Sequence, residues 1–197
     1  ISAFGECVSL KSTTIPEGVT YIGGYTFYKC TSLSDVLIPE SVTQIGYSVF
    51  NGCSNLTSVI IPNRVQSIGE GAFNDCSSLR SILVDKDNAN FTSIDGVLFN
   101  KACTSLITYP ARKSGTAYQI PEGVTSIGDS AFENCSSLTS VTIPEGVTSI
   151  GDYAFQDCSS LTSVTIPEGV TSIGSSAFSG CSSLTSVTIP KSVTGIS

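Results

Sequence analysis

Histidine, methionine and tryptophan are absent from this 197-residue chain, and charged residues make up only 13% of it. Without histidine the chain can form neither a Ser-His-Asp nor a Cys-His catalytic arrangement. Zinc sites that use histidine are excluded for the same reason. No nucleophile is paired with a base and no pocket is indicated, so we expect a protein that is not an enzyme. No cofactor or metal site is predicted.

Positive charge is also scarce, with 9 Lys and Arg residues against 16 Asp and Glu residues and a net charge of −7. A nucleic-acid-binding protein needs a basic surface to neutralise phosphates, so nucleic acid is an unsuitable partner. No apolar run approaches the ~18 residues that a membrane span requires, so we expect no membrane insertion of this segment. Hydrophobic residues make up 40% of the chain, which is enough for a folded core.

A 23-residue repeat organises the chain. The unit reads P-x-x-V-x-x-I-G-x-x-A-F-x-x-C-x-x-L-x-x-V-x-I, and residues 121–143 differ from residues 144–166 at only three positions. A unit of this length cannot bury its own apolar face, so neighbouring units must stack into a solenoid. Both ends of the chain fall within a repeat, which favours a fragment of a longer protein or an assembly whose partners cover the ends.

Within each coil the pattern predicts mostly β-strand and turn. The segment Leu138–Ile143 matches the L-x-x-L-x-L strand of leucine-rich repeats, with Val141 and Ile143 facing inward. Residues 147–150 form a second, shorter strand, and Phe155 follows on a turn or a short helical turn. The predicted fold class is therefore a repeat solenoid of the leucine-rich-repeat type, with short helical turns.

Two columns of side chains repeat with this period and are predicted to form the structural ladder of the solenoid interior. The cysteines would lie about 4.8 Å apart, which is slightly too far for disulfides, so we expect reduced and buried thiols. A row with one sulfur per coil also suits no tetrahedral metal site. The ladder comprises Cys7, Cys30, Cys53, Cys76, Cys135, Cys158 and Cys181 together with Phe27, Phe50, Phe73, Phe132, Phe155 and Phe178.

One segment breaks the period. Regular coils are predicted for residues 1–84 and 119–197 of a single solenoid domain spanning 1–197, with an irregular, hairpin-like insertion repeat at 85–118. Within the insertion, Asp95-Gly96 is a tight-turn signal, and residues 97–99 and 106–109 are predicted to form two strands on either side of a turn at residues 101–103. Residues 85–90 partly match a calcium loop, but Ala89 lacks a ligand atom, so we interpret them as an Asp/Asn turn.

Cys103 is out of phase with the other cysteines. It falls at the turn of the insertion, where an exposed lone thiol would be a candidate for intermolecular pairing or oxidation. The alternative is a tolerated surface cysteine with no role.

The outward positions of the longer strand give the candidate binding site. Alternation along the strand places Leu37, Ile60 and Leu83 on the outer surface of three successive coils. An exposed, contiguous apolar stripe usually marks a contact site, and solenoids bind on their strand face. The alternative is that another part of a longer protein covers the stripe. The charged residues that flank the stripe are Lys11, Asp35 and Arg80.

The repeat G-x-x-A-F-x-x-C-x-x-L-x-x-V-x-I-P recurs almost unchanged at residues 128–144, 151–167 and 174–190. In this the chain resembles the BspA-type leucine-rich repeats of bacterial and protist surface proteins. The resemblance implies a secreted or cell-surface protein that binds a protein or glycan ligand in adhesion.

Two alternatives to a binding module stay open. The first is a structural spacer or filament subunit that self-associates end to end. The second is an ice- or crystal-surface binder, because Thr142, Thr165 and Thr188 form a regular hydroxyl array with serines two residues earlier.

Overall fold

The computed structural model describes residues 1–196, which form two compact units, Ile1–Lys101 and a second unit beginning at Ala102. Each unit is a β-solenoid of stacked coils, and the described residues contain strands and turns but no helix. The predicted solenoid fold is therefore confirmed. The short helical turns of the prediction are replaced by non-helical turns.

The first unit contains nine strands. One set lies at the equivalent position of four successive coils, where β1 pairs in parallel with β3 and β5 with β7. A second set, β2, β4 and β6, forms a parallel sheet on another side of the coils. The strands are β1 Ser12–Thr14, β2 Tyr21–Ile22, β3 Asp35–Leu37, β4 Gln44–Ile45, β5 Ser58–Ile61, β6 Ser67–Ile68, β7 Ser81–Val84, β8 Phe91–Ile94 and β9 Val97–Asn100.

Within residues 102–196, the second unit contains eight strands and repeats this plan. Strands β11, β13 and β15 form one parallel sheet, and β10, β12, β14, β16 and β17 pair in that order in a second set. The strands are β10 Ser105–Thr108, β11 Ala117–Gln119, β12 Ser126–Ile127, β13 Ser140–Thr142, β14 Ser149–Ile150, β15 Ser163–Thr165, β16 Ser172–Ile173 and β17 Gly195–Ile196.

Stacked phenylalanine rings occupy the centre of each unit. In the first unit the rings of Phe27 and Phe50 lie 5.6 Å apart and 4° from parallel, and in the second Phe132 and Phe155 lie 4.8 Å apart at 8°. These four side chains are fully buried. Burial of a phenylalanine contributes roughly 1.5–3 kcal/mol, so the column is a main source of stability.

The segment around each phenylalanine is not helical because its N–H groups bond to the next coil. Phe132 N donates to Ala154 O at 2.7 Å and Asn134 N to Gln156 O at 2.8 Å, so these groups extend the stack. Ser130 and Asn134 have left-handed backbone, with φ of 53° and 59°, which interrupts any helical run in this segment. A helix would direct the same N–H groups to carbonyls four residues earlier.

The insertion contains an antiparallel hairpin. Strands β8 and β9 pair across Asp95-Gly96, both of which have left-handed backbone with φ of 49° and 78°. This is the geometry of a two-residue hairpin turn. The side chains of β9 from Val97 to Phe99 are fully buried in the first unit.

Asn88 holds this hairpin to the preceding coil. Its side-chain Nδ2 donates to Pro62 O at 2.7 Å and Val65 O at 3.1 Å, while its Oδ1 accepts from the backbone N of Asn90 and Phe91 at 2.8 Å. The side chain is buried, so all its polar groups need such partners. The segment interpreted as an Asp/Asn turn thus contains a buried structural amide.

Candidate functional site

The predicted apolar stripe lies on the strand face of the first unit, which consists of the outward side chains of β1, β3, β5 and β7. Leu37, Ile60 and Leu83 are 62%, 59% and 46% exposed. The inward residues Val36, Val59 and Ile82 on the same strands are buried. The register pairs Thr14 with Leu37 and Ile60 with Leu83, so a threonine precedes the stripe in the first coil.

Part of the stripe forms the floor of an open groove of about 610 Å³. Leu37 and Ile60 line this groove together with Pro62, and the carboxylates of Asp35 and Glu40 lie along it. Glu40 was not recognised in the sequence as part of this site. The signal for it is its place three residues after the outward Leu37, just beyond the strand.

Lys11 and Arg80 are exposed at the same position of the first and fourth coils of this face. The backbone bonds from Ser34 N to Lys11 O and from Arg80 N to Thr57 O, each 2.9 Å, define this column. Among the described residues, neither Lys11 nor Arg80 lines the groove. Leu83 does not line it either. The structure thus brings together Asp35, Leu37 and Ile60, with the basic residues at the margin.

In the second unit the equivalent outward positions are polar. Gln119, Thr142 and Thr165 are paired in register across β11, β13 and β15, and both threonines are exposed. Thr188 is exposed but lies outside the strands of residues 1–196. The hydroxyl array predicted from the sequence therefore occupies two paired strands rather than three.

The cysteine column lies inside the coils and contacts the backbone. Cys53 Sγ donates to Phe27 O and Cys158 Sγ to Phe132 O, at 3.1 and 3.0 Å. All eight cysteines are free, and six of the seven in the column are buried. Cys7 departs from the expected burial and is exposed, because among residues 1–196 only the coil that follows it packs against it.

Burial makes these thiols difficult to ionise. Desolvation raises the pKa of Cys53 to about 12 and that of Cys76 well above its ordinary value. Hydrogen bonding to Cys135 and to Cys158 is the first cause of the raised pKa values of Cys158 and Cys181, respectively. Thiols held protonated are poor nucleophiles and poor metal ligands.

Cys103 is half-buried and has left-handed backbone, with φ of 55°. Within residues 1–196, no group of three or more Cys, Asp or Glu side chains is placed to hold a metal ion. No helix among these residues is long and apolar enough to cross a membrane.

Tyr109 was missed as a member of the phenylalanine column. Its ring stacks on Phe132 at 5.1 Å and is buried, and desolvation raises its pKa. The available signal was its position 23 residues before Phe132. The substitution of tyrosine for phenylalanine and the irregular neighbouring spacing concealed that signal.

The repeat, the stacked rings and the parallel coils agree with a known family. Residues 1–117 and 108–197 match the BspA type leucine rich repeat region, in six copies. The chain belongs to the BspA-type leucine-rich repeat family. No curated protein sequence matches it.

Solved structures of two bacterial proteins are similar to this BspA-type chain. A leucine rich cell surface protein from Faecalibacterium prausnitzii A2-165 is 36% identical with a TM-score of 0.76, and the match covers 98% of this chain and 57% of that one. The pneumococcal vaccine antigen PcpA is 26% identical with a TM-score of 0.87, covering 93% of this chain and 52% of that one. The chain therefore spans little more than half the length of either relative. The leucine-rich-repeat solenoid is typically a binding or structural scaffold.

Proposed function

We propose that this chain is a non-enzymatic, cell-surface binding module that holds a protein or glycan ligand on the strand face of its first unit. The observation that carries the proposal is the exposed aliphatic stripe of Leu37, Ile60 and Leu83. Exposed apolar side chains in register on neighbouring strands are unfavourable in water unless a partner covers them. The surface location is supported by the similarity of this chain to the leucine rich cell surface protein from Faecalibacterium prausnitzii.

The chemistry of the face favours a protein ligand. Aliphatic side chains at the centre of a patch, with charged groups at its margin, are the usual arrangement of a protein–protein contact. Leu37 and Ile60 would be the central anchors, while Asp35, Lys11 and Arg80 would orient the ligand. The charged groups would affect the rate and salt dependence of binding more than the final affinity.

The test compares the purified chain with the triple variant Leu37→Asp/Ile60→Asp/Leu83→Asp in a binding screen against extracellular-matrix proteins and a glycan array. The matched control is Gln119→Asp/Thr142→Asp/Thr165→Asp, which places the same three charges at the equivalent outward positions of the second unit. Circular dichroism establishes that both variants fold. We expect the parent and the control to bind and the triple variant to lose at least about tenfold in affinity, as for hot-spot residues.

Equal binding by all three proteins would contradict the strand-face site. Absence of binding by the parent would contradict the proposal that this chain is a binding module. End-to-end assembly stays an alternative prediction, and light scattering over a range of concentrations tests it.

A further inference from the structure

Four of the seven tyrosines belong to two successive coils of the first unit and lie outside strands β1, β3, β5 and β7. We call Tyr21, Tyr25, Tyr28 and Tyr47 the tyrosine cluster. The Tyr25 ring contacts Tyr47 edge to face at 4.9 Å and Tyr28 at 5.4 Å, while Tyr21 lies on β2 beside them in the chain. These contacts restrict the rings of Tyr25, Tyr28 and Tyr47 before any ligand arrives.

Gly24 makes room for the ring of Tyr47. The other five coils with the I-G motif carry Tyr, Glu, Asp, Asp and Ser at the position of Gly24. A Cβ atom on Gly24 would lie 2.7 Å from Cε1 and 2.8 Å from Cζ of Tyr47. The ring of Tyr47 is therefore supported by backbone on one side. Glycine in one coil and tyrosine at the equivalent position of the next form a complementary pair.

The cluster offers both flat apolar surface and hydrogen-bonding groups. Tyr21 and Tyr47 are 52% and 45% exposed, so their rings are partly open to solvent. The exposed Gln44 is paired with Tyr21 in the parallel sheet, and the Lys29 ammonium lies 5.0 Å from the centre of the Tyr28 ring.

We infer that the tyrosine cluster is a second binding site, specific for the sugar rings of a glycan. A pyranose ring has an apolar C–H face with hydroxyl groups around its rim. Rigid tyrosine rings can stack against that face, and the phenol hydroxyls, the Gln44 amide and the Lys29 ammonium can pair with the rim. Few rotatable bonds become fixed on binding, because the Tyr25 ring already contacts the rings of Tyr28 and Tyr47. This site does not depend on the ligand proposed for the strand face.

The test is native gel electrophoresis of the whole chain through gels that contain yeast mannan, laminarin or hydroxyethylcellulose as neutral polysaccharide probes. Because the chain has no tryptophan, tyrosine fluorescence provides a direct second readout of ring stacking. The variants are Tyr47→Ala, Tyr21→Ala and Gly24→Ala, and the control is Tyr153→Ala, an exposed tyrosine of the second unit. Gly24→Ala keeps every tyrosine but displaces the supported ring.

We expect retardation of the parent and of Tyr153→Ala by at least one probe. The Tyr47→Ala, Tyr21→Ala and Gly24→Ala variants should each bind at least about tenfold more weakly, as expected for an aromatic hot spot. The proposal is overturned if no probe retards the parent, or if Tyr47→Ala and Tyr21→Ala bind as the parent does. It is also overturned if matrix-protein binding, rather than polysaccharide binding, is lost in Tyr47→Ala.

The Leu37→Asp/Ile60→Asp/Leu83→Asp variant separates the two proposals. It should bind the polysaccharide as the parent does, because its changes lie on the other face. Loss of protein binding in that variant with retained polysaccharide binding supports both sites. Failure of either assay alone contradicts only the site that the assay measures.

Discussion

The Sγ of Cys53 donates a hydrogen bond to the carbonyl oxygen of Phe27, 26 residues earlier, at 3.1 Å. The same contact links Cys30 to Phe4 and Cys181 to Phe155, so one thiol per coil bonds to the backbone of the coil before it. Cysteine suits this position because its small, apolar side chain packs well in a core and still provides a weak donor.

Thiol reactivity should divide the cysteines into two groups. Cys7 is exposed and Cys103 half-buried, whereas the other six are buried and bonded to the backbone. We expect Ellman's reagent at pH 8 to modify two thiols rapidly in the native protein and all eight in guanidinium chloride. Rapid modification of a third thiol in the folded protein would contradict the packing of the column.

The free energy of unfolding should decrease in alkaline solution, because the buried thiols ionise only when the chain unfolds. The unfolded chain releases the Cys53 proton near pH 8.5, whereas burial raises the pKa of the folded thiol to about 12. Between these values the folded state keeps a proton that the unfolded state has lost, so stability decreases as pH rises. Each such thiol contributes a slope of about 1.4 kcal/mol per pH unit.

The variant Cys53→Ala should therefore lose about that much of the slope between pH 9.5 and 11, measured by urea denaturation. Cys7→Ala is the control, because its side chain is exposed in the folded state. An unchanged slope in Cys53→Ala would show that ionisation of this thiol is not coupled to unfolding.

The glycine of the I-G motif is required where one coil passes closely over another. A Cβ atom on Gly69 would lie 2.5 Å from Tyr47 Cα and 2.6 Å from the carbonyl carbon of Gly46. Backbone at that distance must move, so Gly69→Ala should reduce the free energy of unfolding by about 2–3 kcal/mol. Urea denaturation followed by circular dichroism measures the change.

Gly23→Ala is the matched control for that substitution. Gly23 holds the same position at the first occurrence of the motif in the chain, but the nearest atom to its Cβ would be 3.6 Å away. We expect a change within about 0.5 kcal/mol. Similar losses in both variants would mean that contact between coils does not explain the glycine.

Asn88→Ala should destabilise the first unit by about 2–4 kcal/mol, because two buried carbonyls and two backbone N–H groups would lose partners. Amide hydrogen exchange should accelerate at Asn90 and Phe91 in particular. Asn63→Ala, at an exposed turn, is the control and should have little effect. Unchanged exchange at the hairpin would contradict the role assigned to this amide.

The amino-acid sequence alone determined the coil length, the phenylalanine and cysteine columns and the alternation of outward and inward residues. A regular period places equivalent residues directly above one another, so the burial predicted for a position in one coil holds for the same position in its neighbours. The exposure of Leu37, Ile60 and Leu83 follows from strand alternation, because Val36, Val59 and Ile82 beside them must face the core.

Only the tertiary structure revealed the left-handed turns, the role of Asn88 and the cluster around Tyr47. Tyr25 and Lys29 have φ of 59° and 53°, which their residue types do not indicate, because such backbone usually belongs to glycine, asparagine or aspartate. Spacing predicts which residues share a column. The direction of a turn side chain and its contacts depend on backbone dihedrals and on the particular residue in the next coil, as in the pairing of Gly24 with Tyr47.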